Sequence, residues 1–165
     1  MALDPLLRDA LQTLLTEIVN GPPGSAAYML NGGDPGLLGS LEKLSAAEAS
    51  ARPNGRASVA AHVDHVRYGF EPLNRSLREA NPFADADWAA SWSRHTVTDA
   101  EWRERRDALA REARAWLAGF DTRTEWDPVV LAGTIGSIAH LTYHLGAIRQ
   151  LAANAVGPPD PGVKR

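Results

Sequence analysis

Apolar side chains recur at steps of three and four along most of this chain, and that spacing constrains the fold more than any other feature. A helix brings residues i, i+3, i+4 and i+7 onto one face, whereas a half-buried strand needs strict alternation. Val59, Val63, Val66, Phe70, Leu73 and Leu77 keep to the helical steps and form a bundle-type seam. Leu6, Leu7, Ala10, Leu11, Leu14, Leu15, Ile18 and Val19 make a broad stripe of the same kind. No segment reads convincingly as a strand, and no internal repeat is visible.

Local chemistry marks the helix ends. Asp4 is an N-cap and Pro5 suits the first helical position, while Gly21-Pro22-Pro23-Gly24 stops the first helix. Ser25 to Asp34 reads as an ordered loop or a short turn of helix. A second helix is expected from about Pro35 to Ala49, with Leu37, Leu38, Leu41 and Leu44 facing inward, before a turn at Arg52-Pro53-Asn54-Gly55. The third begins near Ser58, carries Pro72 as a potential kink and stops at Asn81-Pro82. Phe83 to Val97 is loop-like and holds Trp88, Trp92 and His95.

Thr98-Asp99-Ala100-Glu101 is a capping box that opens the fourth helix, with Val97 positioned to staple onto Trp102. Trp102, Leu109, Ala113, Trp116 and Phe120 give its inner face. Asp121 to Asp127 is a connection. The last helix lies between about Val129 and Ala155, its start left open by Gly133 and Gly136. The expected fold is all-α, an up-and-down four-helix bundle with an additional short helix. It forms one domain over residues 1–157, followed by a flexible tail, 158–165, marked by Pro158, Pro159 and Pro161.

With 165 residues, 44% hydrophobic and 22% charged, the chain has the composition of a single globular domain. Its net charge of −3 supplies no attraction for nucleic acid. It has no cysteine, which excludes a disulfide framework, a thiolate metal site and a cysteine nucleophile. The opening Met1-Ala2-Leu3-Asp4-Pro5 lacks the pattern of a signal peptide, and no stretch approaches the roughly 18 apolar residues of a membrane span. A cytoplasmic location is the expectation.

The chemistry is concentrated in histidine. Of five histidines, four fall in two segments, Ser58-Val59-Ala60-Ala61-His62-Val63-Asp64-His65-Val66 and His140-Leu141-Thr142-Tyr143-His144. His140 and His144, four apart on a helix, point the same way. A third imidazole from a neighbouring helix would complete a three-nitrogen face for a divalent metal and leave positions open for water or substrate. Leu141 follows His140, so the H-E-x-x-H pattern of metalloproteases and its built-in general base are absent. His62 and His65 compete for the third position, and periodicity alone places His62 closer to the apolar seam.

Together the two motifs resemble those of the DinB-like superfamily, whose members include the YfiT type. Those proteins carry a Ser or Thr opening a helix with a histidine seven residues on, matched here by Ser58 and His65. They also carry a late H-x-x-x-H, matched by His140 and His144 with Gly146-Ala147-Ile148-Arg149-Gln150 following. Asp87-Trp88, Ser91-Trp92 and Asp99-Ala100-Glu101-Trp102 are similar to members as well, so the resemblance covers about residues 5 to 155. It implies a four-helix bundle with a metal centre formed by His65, His140 and His144, seen with zinc, nickel or iron in different members. It also implies thiol-dependent S-transfer with bacillithiol, mycothiol or glutathione, or a thiol-dependent isomerisation. On that basis His62 is a second-rank or surface residue and His95 an ordinary loop histidine.

Three neutral imidazoles leave the ion its full charge, and a softer thiol ligand favours zinc. The expected function is therefore a divalent-metal-dependent transferase. It uses an external low-molecular-weight thiol, since the chain has no sulfur nucleophile of its own, and acts on a small electrophile. A non-catalytic metal- or small-ligand-binding protein, a metal-dependent hydrolase, and a structural bundle with core histidines are the alternatives. No general base is identifiable: Asp64, Tyr143 and Arg149 stand near the motifs as orienting or surface groups. Trp88 and Trp92 either line a pocket mouth or cover the core. Pairing into a homodimer is left open.

Overall fold

A computed structural model describes residues 3–24, 26–53, 55–76, 79 and 82–155. The expected tail at 158–165, and Leu77 and Asn81 of the third-helix pattern, lie outside the described residues. Among those described, the structure is helical and holds no strand. Six α-helices follow one another: α1 Pro5–Asn20, α2 Gly36–Glu42, α3 Ala46–Ser50, α4 Val59–Arg75, α5 Asp99–Thr122 and α6 Pro128–Leu151. Short 3-10 turns occupy Ala90–Trp92 and Ala153–Ala155. Of the long helices, α1 packs on α5 and α6, and α4 packs on the same two.

The caps explain most boundaries. The Asp4 carboxylate accepts from the Leu6 and Leu7 N–H groups, and Pro5 follows it, as the sequence implies. Thr98 and Glu101 satisfy each other's backbone donors at the start of α5. Two boundaries differ from expectation. The second helix is two short ones, because Ser45 and Glu48 form a second capping box that starts α3 afresh. There are thus two short α-helices where one additional short helix was expected. The last helix starts at Pro128, since Asp127 accepts from the Val129 and Val130 N–H groups; Gly133 and Gly136 lie inside it. It ends at Leu151, short of Ala155.

The core is continuous. Leu15, Ile18 and Val19 of α1 are fully buried with Leu37, Val59, Val63, Leu109 and Ile148. Each such side chain stabilises by about 1.5–3 kcal/mol relative to exposure. Trp102 is buried beside Val97 in the same core and donates its indole N–H to the Leu44 carbonyl, 2.8 Å. Not every apolar residue of the first stripe reaches this core: Leu6 is 81% exposed.

Two polar devices fix the helices that carry the site. Glu17 on α1 is fully buried, and its carboxylate accepts from the backbone N–H groups of Tyr28, Met29 and Leu30 at 2.7–3.1 Å. That staple holds the loop after α1, from which Met29 reaches the Thr142 hydroxyl of α6. Arg149 of α6 donates to Asp34, 2.7 Å, and to Ser40, 3.1 Å. Asp34 lies where Gly21 and Gly36 cross, both at positive φ. A Cβ on Gly21 would collide with the Asp34 carbonyl, so only glycine lets these backbones meet.

Candidate metal centre

The site forms where α4, α6 and the 3-10 turn at Ala90–Trp92 meet. Ser58 sets the register of α4: its hydroxyl accepts from the Ala61 N–H and donates to the His95 carbonyl, 2.8 Å. His95 therefore belongs to the cap of α4 and takes no part in the cluster. One and two turns on, α4 delivers His62 and His65, both 7% exposed. From α6, His144 is buried at 1% exposure while His140 is on the exposed side.

Three Nε2 atoms converge. His140 Nε2 stands 2.9 Å from His144 Nε2 and 3.3 Å from His65 Nε2. The ligating atoms of His65, His140 and His144 all lie within 4.8 Å of one another. Nitrogens around a tetrahedral zinc at the usual bond length stand about 3.3 Å apart. The second contact of the His65 ring fixes its tautomer, and that of the His144 ring admits the same one. The Ser91 hydroxyl donates to the Trp88 carbonyl, 2.7 Å, so with its only proton committed it accepts from His65 Nδ1–H at 2.8 Å. His65 Nε2 then carries a lone pair. His144 Nδ1 lies 2.8 Å from His62 Nδ1. Either ring can be the donor along that contact, and with His144 donating to His62 the Nε2 of His144 is bare as well.

This donor set fits a divalent cation. When His144 donates to His62, two bare nitrogens face His140 Nε2; one imidazole proton then satisfies only one of the two contacts, whereas a cation satisfies all three nitrogens. The cluster is also held uncharged. Burial, followed by the proximity of His140, His62 and His65, pushes His144 down to about 3. Burial, then His140 and His62, lowers His65 to about 4. Burial lowers His62 and His140 from the ordinary imidazole value. All four are neutral at pH 7, the form that ligates metal without first losing a proton.

Aromatic rings wall the cluster. Trp92 stacks on His65 with centroids 4.1 Å apart and meets His62 edge-on at 5.1 Å. Trp88 touches His65 edge-on at 5.9 Å. Asp87 accepts from the Ala90 N–H, 2.9 Å, and so fixes the turn that positions Ser91 and Trp92. Beyond His65 and His140 opens a cavity of about 380 Å³, walled by Phe70, Leu73, Phe83 and Trp88.

The other polar residues near the motifs point elsewhere. Asp64 pairs with Arg105 of α5, Arg149 serves Asp34, and Tyr143 is 67% exposed with its ring edge-on to His144. His62 lies behind His144 and outside the converging group, so the geometry brings His65 rather than His62 together with His140 and His144. Ser91 had no assignable role in the sequence. It lies 26 residues from His65 in a loop, where periodicity is silent.

Partners that orient a ligating histidine typically govern ten- to hundredfold in metal affinity. Ser91→Ala and His62→Phe are therefore each expected to weaken zinc binding by about ten- to hundredfold, read by competition with a chromophoric chelator. Unchanged affinity in both would show that the two contacts do not orient the rings.

Comparison of the chain with protein-family models, with curated proteins and with solved structures gives no match.

Proposed function

We propose that this protein is a divalent-metal-dependent enzyme of the DinB-like type. In this reading the four long helices form an up-and-down bundle, and His65, His140 and His144 hold the ion, zinc in preference to nickel or iron. The observation that carries the reading is the convergence of three Nε2 atoms, that of His65 bared by the hydrogen bond its ring makes to Ser91. A divalent ion bound there supplies Lewis acidity, which lowers the pKa of a thiol or water.

The chain's own residues then have distinct tasks. Ser91 and His62 hold the rings of His65 and His144 in the ligating tautomer. Trp88 and Trp92 keep bulk water from the imidazoles. The adjoining cavity receives a small electrophile. The reaction is S-transfer from an external low-molecular-weight thiol. The thiol proton passes to solvent, a carbon–sulfur bond forms, and the leaving group departs with the electron pair of the bond that breaks. Asp64, the carboxylate next to His65 in sequence, is engaged by Arg105, which agrees with release of that proton to solvent. Exposed Leu6, Ile135 and Tyr143 favour pairing of two copies. A cytoplasmic location and no nucleic-acid partner complete the proposal.

The test is a screen of zinc-loaded protein with 1-chloro-2,4-dinitrobenzene and related electrophiles against glutathione, mycothiol and bacillithiol. Thiol-dependent adduct formation that is lost in His140→Ala is expected. Electrophile consumption without thiol would make the protein a hydrolase. Metal binding without turnover of any pair would leave a non-catalytic metal-binding protein.

A further inference from the structure

The cavity beside the histidine cluster is unlike an ordinary packing defect. Its wall from α6 includes Gly133 and Gly136, both inside a 24-residue helix. Glycine weakens a helix interior, so its presence there needs a reason. Conformation is not the reason, since neither glycine is at positive φ. Close packing is not the reason either: among the described residues, a Cβ at either position would meet nothing within 4 Å. What the two glycines do is keep the cavity wide along the side of α6 that ends at His140.

Its chemistry is equally specific. Among the described residues no Lys, Arg, Asp or Glu lines it. The walls are Phe70, Leu73 and Leu141, with the rings of Phe83 and Trp88 near parallel at 6.4 Å and 21°. Phe83 and Trp88 are 41% and 40% exposed, the exposure of a mouth. The polar lining comprises His65 and His140 at the cluster end and Ser137, whose hydroxyl donates to the Thr134 carbonyl and so offers the cavity only lone pairs. At about 380 Å³ the space falls within the range of small-molecule sites.

We propose that this cavity is the electrophile site and that it selects uncharged, apolar molecules, aromatic ones above all, inserted between Phe83/Trp88 and the glycine face of α6. The inference rests on the enzymatic reading above and adds the substrate class to it. Among the described residues, a carboxylate or phosphate would lose its hydration without meeting a cationic side chain in the lining. A flat apolar body meets two aromatic rings, and its leading end abuts His65 and His140.

The test uses N-phenyl-1-naphthylamine, a neutral aromatic fluorophore, titrated into zinc-free and zinc-loaded protein. We expect one saturable site per chain in both forms. In the zinc-free form the anionic 1-anilinonaphthalene-8-sulfonate should bind at least tenfold more weakly. Gly136→Leu, which fills the space, should lower the affinity for the neutral probe at least tenfold while zinc content stays at the wild-type value and the melting temperature does not fall. Gly133→Leu is the second variant should Gly136→Leu fail to fold. Absence of a saturable site, equal affinity for the anionic probe, or full affinity in a folded glycine variant would each overturn the inference. Zinc binding without probe binding would sink the cavity's role and leave the metal centre standing. Probe binding without zinc binding would do the reverse.

Discussion

His140→Ala is expected to abolish stoichiometric metal binding while leaving the fold intact. The loss should exceed by far the ten- to hundredfold attached to orienting partners, because a ligand itself is removed and two nitrogens remain. The fold should tolerate the change. His140 lies on the exposed side of α6, and the hydrogen-bond partners of its ring are the other two cluster histidines. Substitutions at such positions usually stay within about 0.5 kcal/mol. Removing its imidazole also removes one cause of the depressed values at His65 and His144. The check is elemental analysis beside thermal unfolding of the metal-free chains. A variant that keeps about one ion per chain would exclude His140 as a ligand. His144→Ala cannot separate the two effects, since His144 is buried and leaves both a void and an unpartnered His62 Nδ1.

A large loss of stability from one residue outside the site is expected at Glu17. Truncation to alanine strips an acceptor from three backbone N–H groups and empties a fully buried position. Leaving a buried donor unpaired costs about 1–3 kcal/mol, and hydrogen bonds to charged groups lie at the stronger end. With partial relaxation of the loop, Glu17→Ala should cost roughly 3–5 kcal/mol in urea unfolding of the metal-free protein. Glu17→Gln keeps one acceptor oxygen and should fall between. A loss below about 1 kcal/mol would show that the loop finds other partners. Since Met29 carries the loop to Thr142 on α6, two residues before His144, the alanine variant should also bind metal more weakly.

Where the sequence was legible, one local rule decided the matter alone. Asp4-Pro5, Ser58 and Thr98-x-x-Glu101 each start a helix where the structure starts one. The periodic seams placed Val59, Val63, Val66 and Phe70 in the core. Where two rules competed, the reading slipped. The apolar stripe continues through Ser45-x-x-Glu48, so periodicity gives one helix where the capping box starts a second. At α6 the glycines leave the start open near Val129, and Asp127-Pro128 fixes it within one residue of there.

The candidate site divides in the same way. The spacing of His140 and His144 follows from one helix, so sequence suffices to pair them. Their meeting with His65 depends on how α4 packs against α6, and periodicity favoured His62 instead. Both face inward because α4 is buried on more than one side, with α5 along one flank and the Ala90–Trp92 turn along another. The contacts that hold the rings, Ser91 to His65 and His62 to His144, span 26 and 82 residues. No local pattern encodes such separations.

The most direct test of the account is X-ray absorption at the zinc edge of the intact chain loaded with one equivalent of zinc. The account predicts a first shell of nitrogen and oxygen only, with the multiple-scattering signature of three imidazoles. In Ser91→Ala the same three rings should appear with greater spread in distance. A shell with fewer than three imidazoles, or a chain that takes up no zinc at all, would contradict the three-histidine centre on which the proposed function rests.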